Sequence, residues 1–242
     1  MPPPATLAQP SDERRRYPAT ASKEGRIRLA FVPASLLSLV LGGGFFAQLP
    51  FATTLWPWPA APLSYVFIGS ILAAIAVSGE TAAIQGGAID LTAMYGGMFV
   101  YAVTLMGDRG QPRLWPYALV FALACAGSAT AFAVSRRIEW RDPRPMPAPV
   151  RWSFAAFAAL LVGTGTALLF HARVLPWHLG AETSVMFGLV YLGAAVYFVY
   201  GFADPRWSNA AGQLAGFLAY DVILLAPSST TSRSRTEASA RA

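Results

Sequence analysis

The sequence predicts an all-α integral membrane protein of about seven transmembrane helices. They form two parallel three-helix repeats joined by a connector helix, a 3+1+3 order. Three observations carry this. The 242 residues are 55% hydrophobic and only 12% charged, where soluble domains carry about 25% charged residues. The apolar residues gather in helix-length blocks that end at Pro, Gly or charge, and in lipid only helices and closed barrels satisfy the backbone. Shifting the chain by 119 positions lays Pro57 to Leu105 over Pro176 to Leu224 without a gap. The shift pairs Trp58/Trp177, Val66/Val185, Gly69/Gly188, Gly97/Gly216 and Tyr101/Tyr220. Gly44/Gly163 and Phe51/Phe170 extend the register backwards, and matches that include Trp, Pro and Tyr read as a duplication.

The elements follow in order. Residues 1–28, rich in Pro, Ala and charge, read as a disordered cytoplasmic tail. Apolar spans at 29–49, 63–79 and 83–106 make the first repeat, residues 29–107. The second span is short and the third is interrupted by Gly86, Gly87 and Asp90, so six spans is the competing count. A span at 115–134 and the basic cytoplasmic loop behind it form the connector, 108–149. Spans at 151–170, 184–203 and 208–226 make the second repeat, 150–226, and the Ser, Thr and Arg of 227–242 form a second disordered tail. The triplet Arg14, Arg15 and Arg16 lies too far from the first apolar run for a twin-arginine export signal. Span one exceeds a signal h-region and lacks a clean cleavage site, so it is expected to be retained. The lone Cys125 rules out an internal disulfide, and Lys23 as the one lysine points to a bacterial genome of high G+C content.

Orientation follows from the basic residues. The N-terminal arm, the loop after span four and the last short loop hold twelve, from Arg14 to Arg206; the opposite side holds six, including Arg109, Arg113 and Arg173. The N-terminus is therefore placed in the cytoplasm and the C-terminus outside. The net charge of +6 is absorbed by topology and anionic headgroups, without nucleic acid.

Because four spans separate equivalent helices, the repeats run in the same direction, related by a pseudo-twofold axis along the bilayer normal. The 3+1+3 order resembles that of the SWEET sugar transporters in topology alone. Their Pro-Gln signature is missing: the nearest string is Gln48-Leu49-Pro50, and span five has no proline. A retinal protein is excluded, since no span holds a lysine for the Schiff base. The string Trp56-Pro57-Trp58-Pro59, followed by Pro62, Leu63 and Gly69, resembles a motif of uncharacterised bacterial multi-pass membrane proteins; Leu175-Pro176-Trp177-His178 with Gly188 is its weaker copy. That resemblance implies a bacterial plasma (inner) membrane protein and no known activity.

Candidate sites lie on the third helix of each repeat. Asp90, Met94, Gly97 and Tyr101 correspond to Asn209, Gln213, Gly216 and Tyr220. At 100° per residue each quartet falls within roughly 60° of arc on one face. Polar groups in lipid normally face a bundle interior or a wet cavity. Asp90, Tyr101, Asn209, Gln213 and Tyr220 are thus candidates to line a polar cavity on the pseudo-axis, with helix-to-helix hydrogen bonding as the plainer reading. Trp56, Trp58 and Trp177, in the loops between the first two helices of each repeat, suit anchoring at the headgroups. Asp204 and Arg206 suit a self-neutralised turn, and Glu80 a solvated one.

Enzyme chemistry has no positive signal. Tyr220-Asp221 matches half of an intramembrane aspartyl protease signature, but Gly86-Gly87-Ala88-Ile89-Asp90 has the wrong spacing for the other half. His171 and His178 are separated by Pro176 and lack a third ligand, so no metal or cofactor is expected. The expected role is a structural or accessory subunit with a membrane protein partner or a homo-oligomer. The alternative is a small-molecule carrier or ligand-binding protein with a polar cavity between the repeats.

Overall fold

The computed structural model describes residues 18–80, 84–108, 110–137 and 144–225. Among them the protein is all-helical. Seven long helices run α1 Pro18–Phe46, α2 Pro62–Glu80, α3 Ile84–Asp108, α4 Trp115–Ser135, α5 Ala148–Leu169, α6 Ala181–Ala203 and α7 Trp207–Leu225. Four stretches are long and apolar enough to cross a membrane: Gln85–Gly107, Pro112–Ser135, Ala148–Leu169 and Ala181–Ala203. The apolar parts of α1 and α2, Val32–Phe46 and Pro62–Val77, are shorter.

Residues 18–28 are helical and not part of a disordered tail. Ala19, Ala21, Lys23, Glu24, Arg26 and Arg28 are strong helix formers that elongate the apolar helix behind them. The rest of that expected tail, and 227–242, lie outside the described residues.

Neighbours in sequence are not always neighbours in space. The helix α1 packs along α2, α5 along α6, and α4 along α3. Helices α2 and α3, consecutive in sequence, barely touch; α2 packs on α7 instead, and α3 on α6. The two three-helix groups therefore exchange their third helices.

Glycines set the two tightest crossings. A Cβ on Gly69 would lie 2.7 Å from the Gly42 carbonyl, and one on Gly188 2.8 Å from the Gly165 carbonyl. With no hydrophobic drive between helices in lipid, such backbone approach maximises dispersion and permits Cα–H···O contacts. Gly69 and Gly188 stand in the 119 register, but Gly42 and Gly165 fall four residues outside it. The slip is the four-residue turn Pro50–Thr53, which the first group inserts between α1 and α2.

The expected pairs Gly44/Gly163 and Phe51/Phe170 are accordingly not equivalent in space. A Cβ on Gly44 would strike Phe51 and Ala52, whereas one on Gly163 would meet nothing within 4 Å. The helix ends show the same four-residue offset. Gln48 and His171 both take left-handed backbone, with φ of 53° and 58°. Each closes the same C-terminal motif, in which Leu49 N–H donates to Gly44 O and Ala172 N–H to Ala167 O. His171 is thus a helix cap.

These crossings predict a contrast in thermal unfolding in detergent. Gly188→Val forces its new side chain into the α5 backbone and lowers stability by about 1–3 kcal/mol, with a fallen Tm. Gly163→Ala, facing open space, leaves the Tm within error. Equal melting of the two variants would refute the crossing.

Candidate functional site

The exchanged helices enclose a partly open cavity of about 200 Å³. Ile71, Ala74 and Ile75 of α2, Gly87, Asp90 and Met94 of α3, Val190, Tyr191 and Ala194 of α6, and Gln213, Gly216 and Tyr220 of α7 stand on its wall. In the 119 register Ile71 matches Val190, Ile75 matches Ala194, and Met94 matches Gln213, so like positions of both groups face the same space.

Asp90 owes its place to a glycine. A Cβ on Gly193 of α6 would lie 2.9 Å from Asp90 Oδ1 and 2.7 Å from Met94 Cβ. Gly86 does the same for Tyr197, whose ring would sit 2.8 Å from a Cβ there. The fully buried Tyr197 donates its hydroxyl to Asn209 O at 2.9 Å, and Tyr191 and Tyr220 hydrogen-bond each other. Asp90 and Gln213 are then the polar side chains on the wall that have no hydrogen-bond partner among the described residues.

Beyond Asp90 one end of the bundle is tied by a polar cluster. Buried Gln85 of α3 donates to Ser135 O of α4 at 2.9 Å, and its Oε1 accepts from Tyr200 of α6 at 2.7 Å and from Arg206 at 3.1 Å. Arg206 also grips Asp204 through its Nε at 2.8 Å and through its second guanidinium nitrogen. Hydrogen bonding to Asp204 holds the Arg206 guanidinium above its ordinary pKa range. The Asp204 carbonyl accepts from Asn209 Nδ2 at 2.9 Å, completing the self-neutralised turn expected from Asp204 and Arg206.

The other end is aromatic. Trp177 Nε1 donates to Ser64 Oγ at 3.0 Å, and Trp56 Nε1 to Thr183 Oγ1 at 3.3 Å. Ser64 and Thr183 begin α2 and α6, match in the 119 register, and are buried. Each loop therefore reaches across to the opposite group. Phe67 and Phe187 meet between these bonds, with ring centroids 4.6 Å apart.

The structure brings Asp90, Gln213 and Tyr220 to one cavity and leaves Tyr101 and Asn209 off its wall. Tyr101 sits about three turns beyond Asp90, in the apolar cluster around Trp58 and Met98, and Asn209 is turned into the Asp204 corner. Trp56, Trp58 and Trp177, expected at the headgroups, turn their rings toward the bundle. Trp58 is 7% exposed, and the other two are half-buried and bonded inward, because buried hydroxyls across the bundle offer them acceptors. Trp115 and Trp152, at 61% and 67% exposure, are the outward-facing ones. The sequence reading missed Tyr191, Tyr197 and Gly193. Their signal was polar and small residues on α6 itself, outside the polar stripe of the third helix of each group. No family model matches the chain, and neither a curated protein nor a solved structure does.

The crossed indole bonds predict energetic coupling across the groups. A double-mutant cycle of Trp177→Phe with Ser64→Ala, read by unfolding in bicelles, should return a coupling of about 0.5–1.5 kcal/mol. Trp177→Phe with Thr183→Val should return none. Zero coupling in the first cycle would contradict the pairing.

Proposed function

We infer that the chain is a seven-span membrane protein of two parallel three-helix repeats, and that it binds or carries a small molecule in the cavity between them. The observation that carries this reading is the cavity itself, lined by register-matched positions of both groups and holding two unpartnered polar side chains. Parallel repeats place a ligand site at their mutual axis. The reciprocal packing of α2 on α7 and α6 on α3 supports such an axis, as do the reciprocal Trp177–Ser64 and Trp56–Thr183 bonds.

The arrangement suits a carrier. Aromatic closure at one end and an Arg206-centred cluster at the other are two separable seals, and the sparse α2–α3 contact lets one group tilt against the other. The accessory-subunit reading accounts for close helix packing but gives no role to the cavity. The distribution of Arg and Lys supports a cytoplasmic N-terminus, and the Trp-Pro-Trp-Pro string supports a bacterial plasma membrane origin.

Native mass spectrometry of the purified protein tests the site. A Cβ on Gly87, which lines the cavity, meets nothing within 4 Å, so Gly87→Leu fills the space without breaking the helix. The wild-type protein is expected to retain a small molecule that Gly87→Leu loses at equal folded yield. An identical spectrum from both proteins would sink the reading.

A further inference from the structure

The cavity wall is chemically one-sided. Among the described residues Asp90 is its sole acid, and no Arg, Lys or His lines it. The guanidinium of Arg206 is already committed to Asp204 and Gln85, and that of Arg151 to the Phe202 carbonyl and ring. A carboxylate in low-dielectric surroundings is costly unless an opposite charge meets it. The tyrosine hydroxyls of the wall are bonded to other protein groups, so the rings of Phe67, Tyr191, Tyr197, Phe217 and Tyr220 contribute apolar, quadrupolar surface. Rings of this kind attract an alkylammonium and tolerate its methyl groups.

We propose that the cavity is a site for a small organic cation, an ammonium head on an apolar body of about one ring, with the head at Asp90 and Gln213. The proposal rests on the ligand-binding reading above. Asp90 Oδ1 supplies the counter-charge, and the Gln213 carbonyl accepts any N–H the head carries. The apolar body lies against the rings and Ile71, Ile75 and Val190. Size agrees: an apolar cavity of about 150 Å³ holds benzene, and this one is about 200 Å³, leaving room for a head group. An anion is repelled by the same carboxylate, and a neutral hydrocarbon leaves both polar side chains unpartnered.

The test compares two probes of the same shape on the full-length protein in nanodiscs: benzyltrimethylammonium and its uncharged carbon isostere, neopentylbenzene. Saturation binding is expected to favour the cation at least tenfold. Asp90→Asn should erase that preference, chiefly by weakening the cation, and Asp90→Glu, which keeps the charge, should retain it. Gly87→Leu should abolish both. Equal binding of the two probes to the wild type, insensitive to Asp90→Asn but lost in Gly87→Leu, overturns the cation proposal and leaves the cavity reading standing. Absence of binding by either probe to a wild-type protein shown folded by gel filtration overturns the cation proposal; the Gly87→Leu mass-spectrometric comparison then decides the cavity reading separately. The wild-type preference alone decides the matter if Asp90→Asn fails to fold.

Discussion

The structure depends on how closely two pairs of helices approach. Inside a bilayer, lipid tails are as apolar as leucine, so burying apolar surface does not hold helices together. Contact quality does. Gly69 against Gly42, and Gly188 against Gly165, bring backbone onto backbone and tie α1 to α2 and α5 to α6 as two rigid pairs. Once those pairs exist, the outer faces of α2 and α6 are free to receive α7 and α3. The exchange of third helices follows from that geometry, and the cavity is the space left where the four helices meet.

Small residues then decide what enters that space. Gly193 admits the Asp90 carboxyl to the α3–α6 crossing, and Gly86 admits the Tyr197 ring. A methyl at either place pushes a side chain that the wall needs. The two ends are closed by different chemistry. The indole bonds join elements far apart in sequence through neutral groups, so they are insensitive to salt and cheap to keep in an apolar setting. The Gln85, Tyr200, Asp204 and Arg206 cluster is polar, partly exposed and close to the basic loops, where water and headgroups compete for it. A bundle with one greasy seal and one wet seal has ends that respond to different conditions.

Much of this was legible in the sequence. Helix positions followed from apolar block length, because a backbone in lipid has few other choices. The helical phase of α3 and α7 put Asp90 and Gln213 on inward faces, since a polar residue on an apolar helix has to face inward. The register of α1 was not legible. Similar apolar residues recur every turn, so the four-residue turn before Pro57 left Gly44 over Gly163 looking as good an alignment as Gly42 over Gly165, the glycines that make the two close crossings. The inward bonds of Trp56 and Trp177 were not legible for a related reason. An indole near a span end gives no sign of an acceptor such as the Ser64 or Thr183 hydroxyl, which is brought in from the other group. Tyr101 shared a helical face with Asp90 yet lay about three turns along the axis, and Asn209, one turn from Gln213, is drawn into the Asp204 corner by its side-chain bond; a helical wheel records neither.

Cross-linking of engineered cysteine pairs tests the exchanged packing most directly, in a Cys125→Ser background in native membranes. Gly97→Cys with Leu189→Cys, where a Cβ on Gly97 lies 2.8 Å from the Leu189 side chain, should join α3 to α6. Phe67→Cys with Tyr220→Cys, whose rings are 6.0 Å apart, should join α2 to α7. Efficient cross-links in both pairs, and none between Val66→Cys and Val103→Cys on α2 and α3, are the predicted result. Linkage of α2 to α3 with neither exchanged pair reacting would contradict the account.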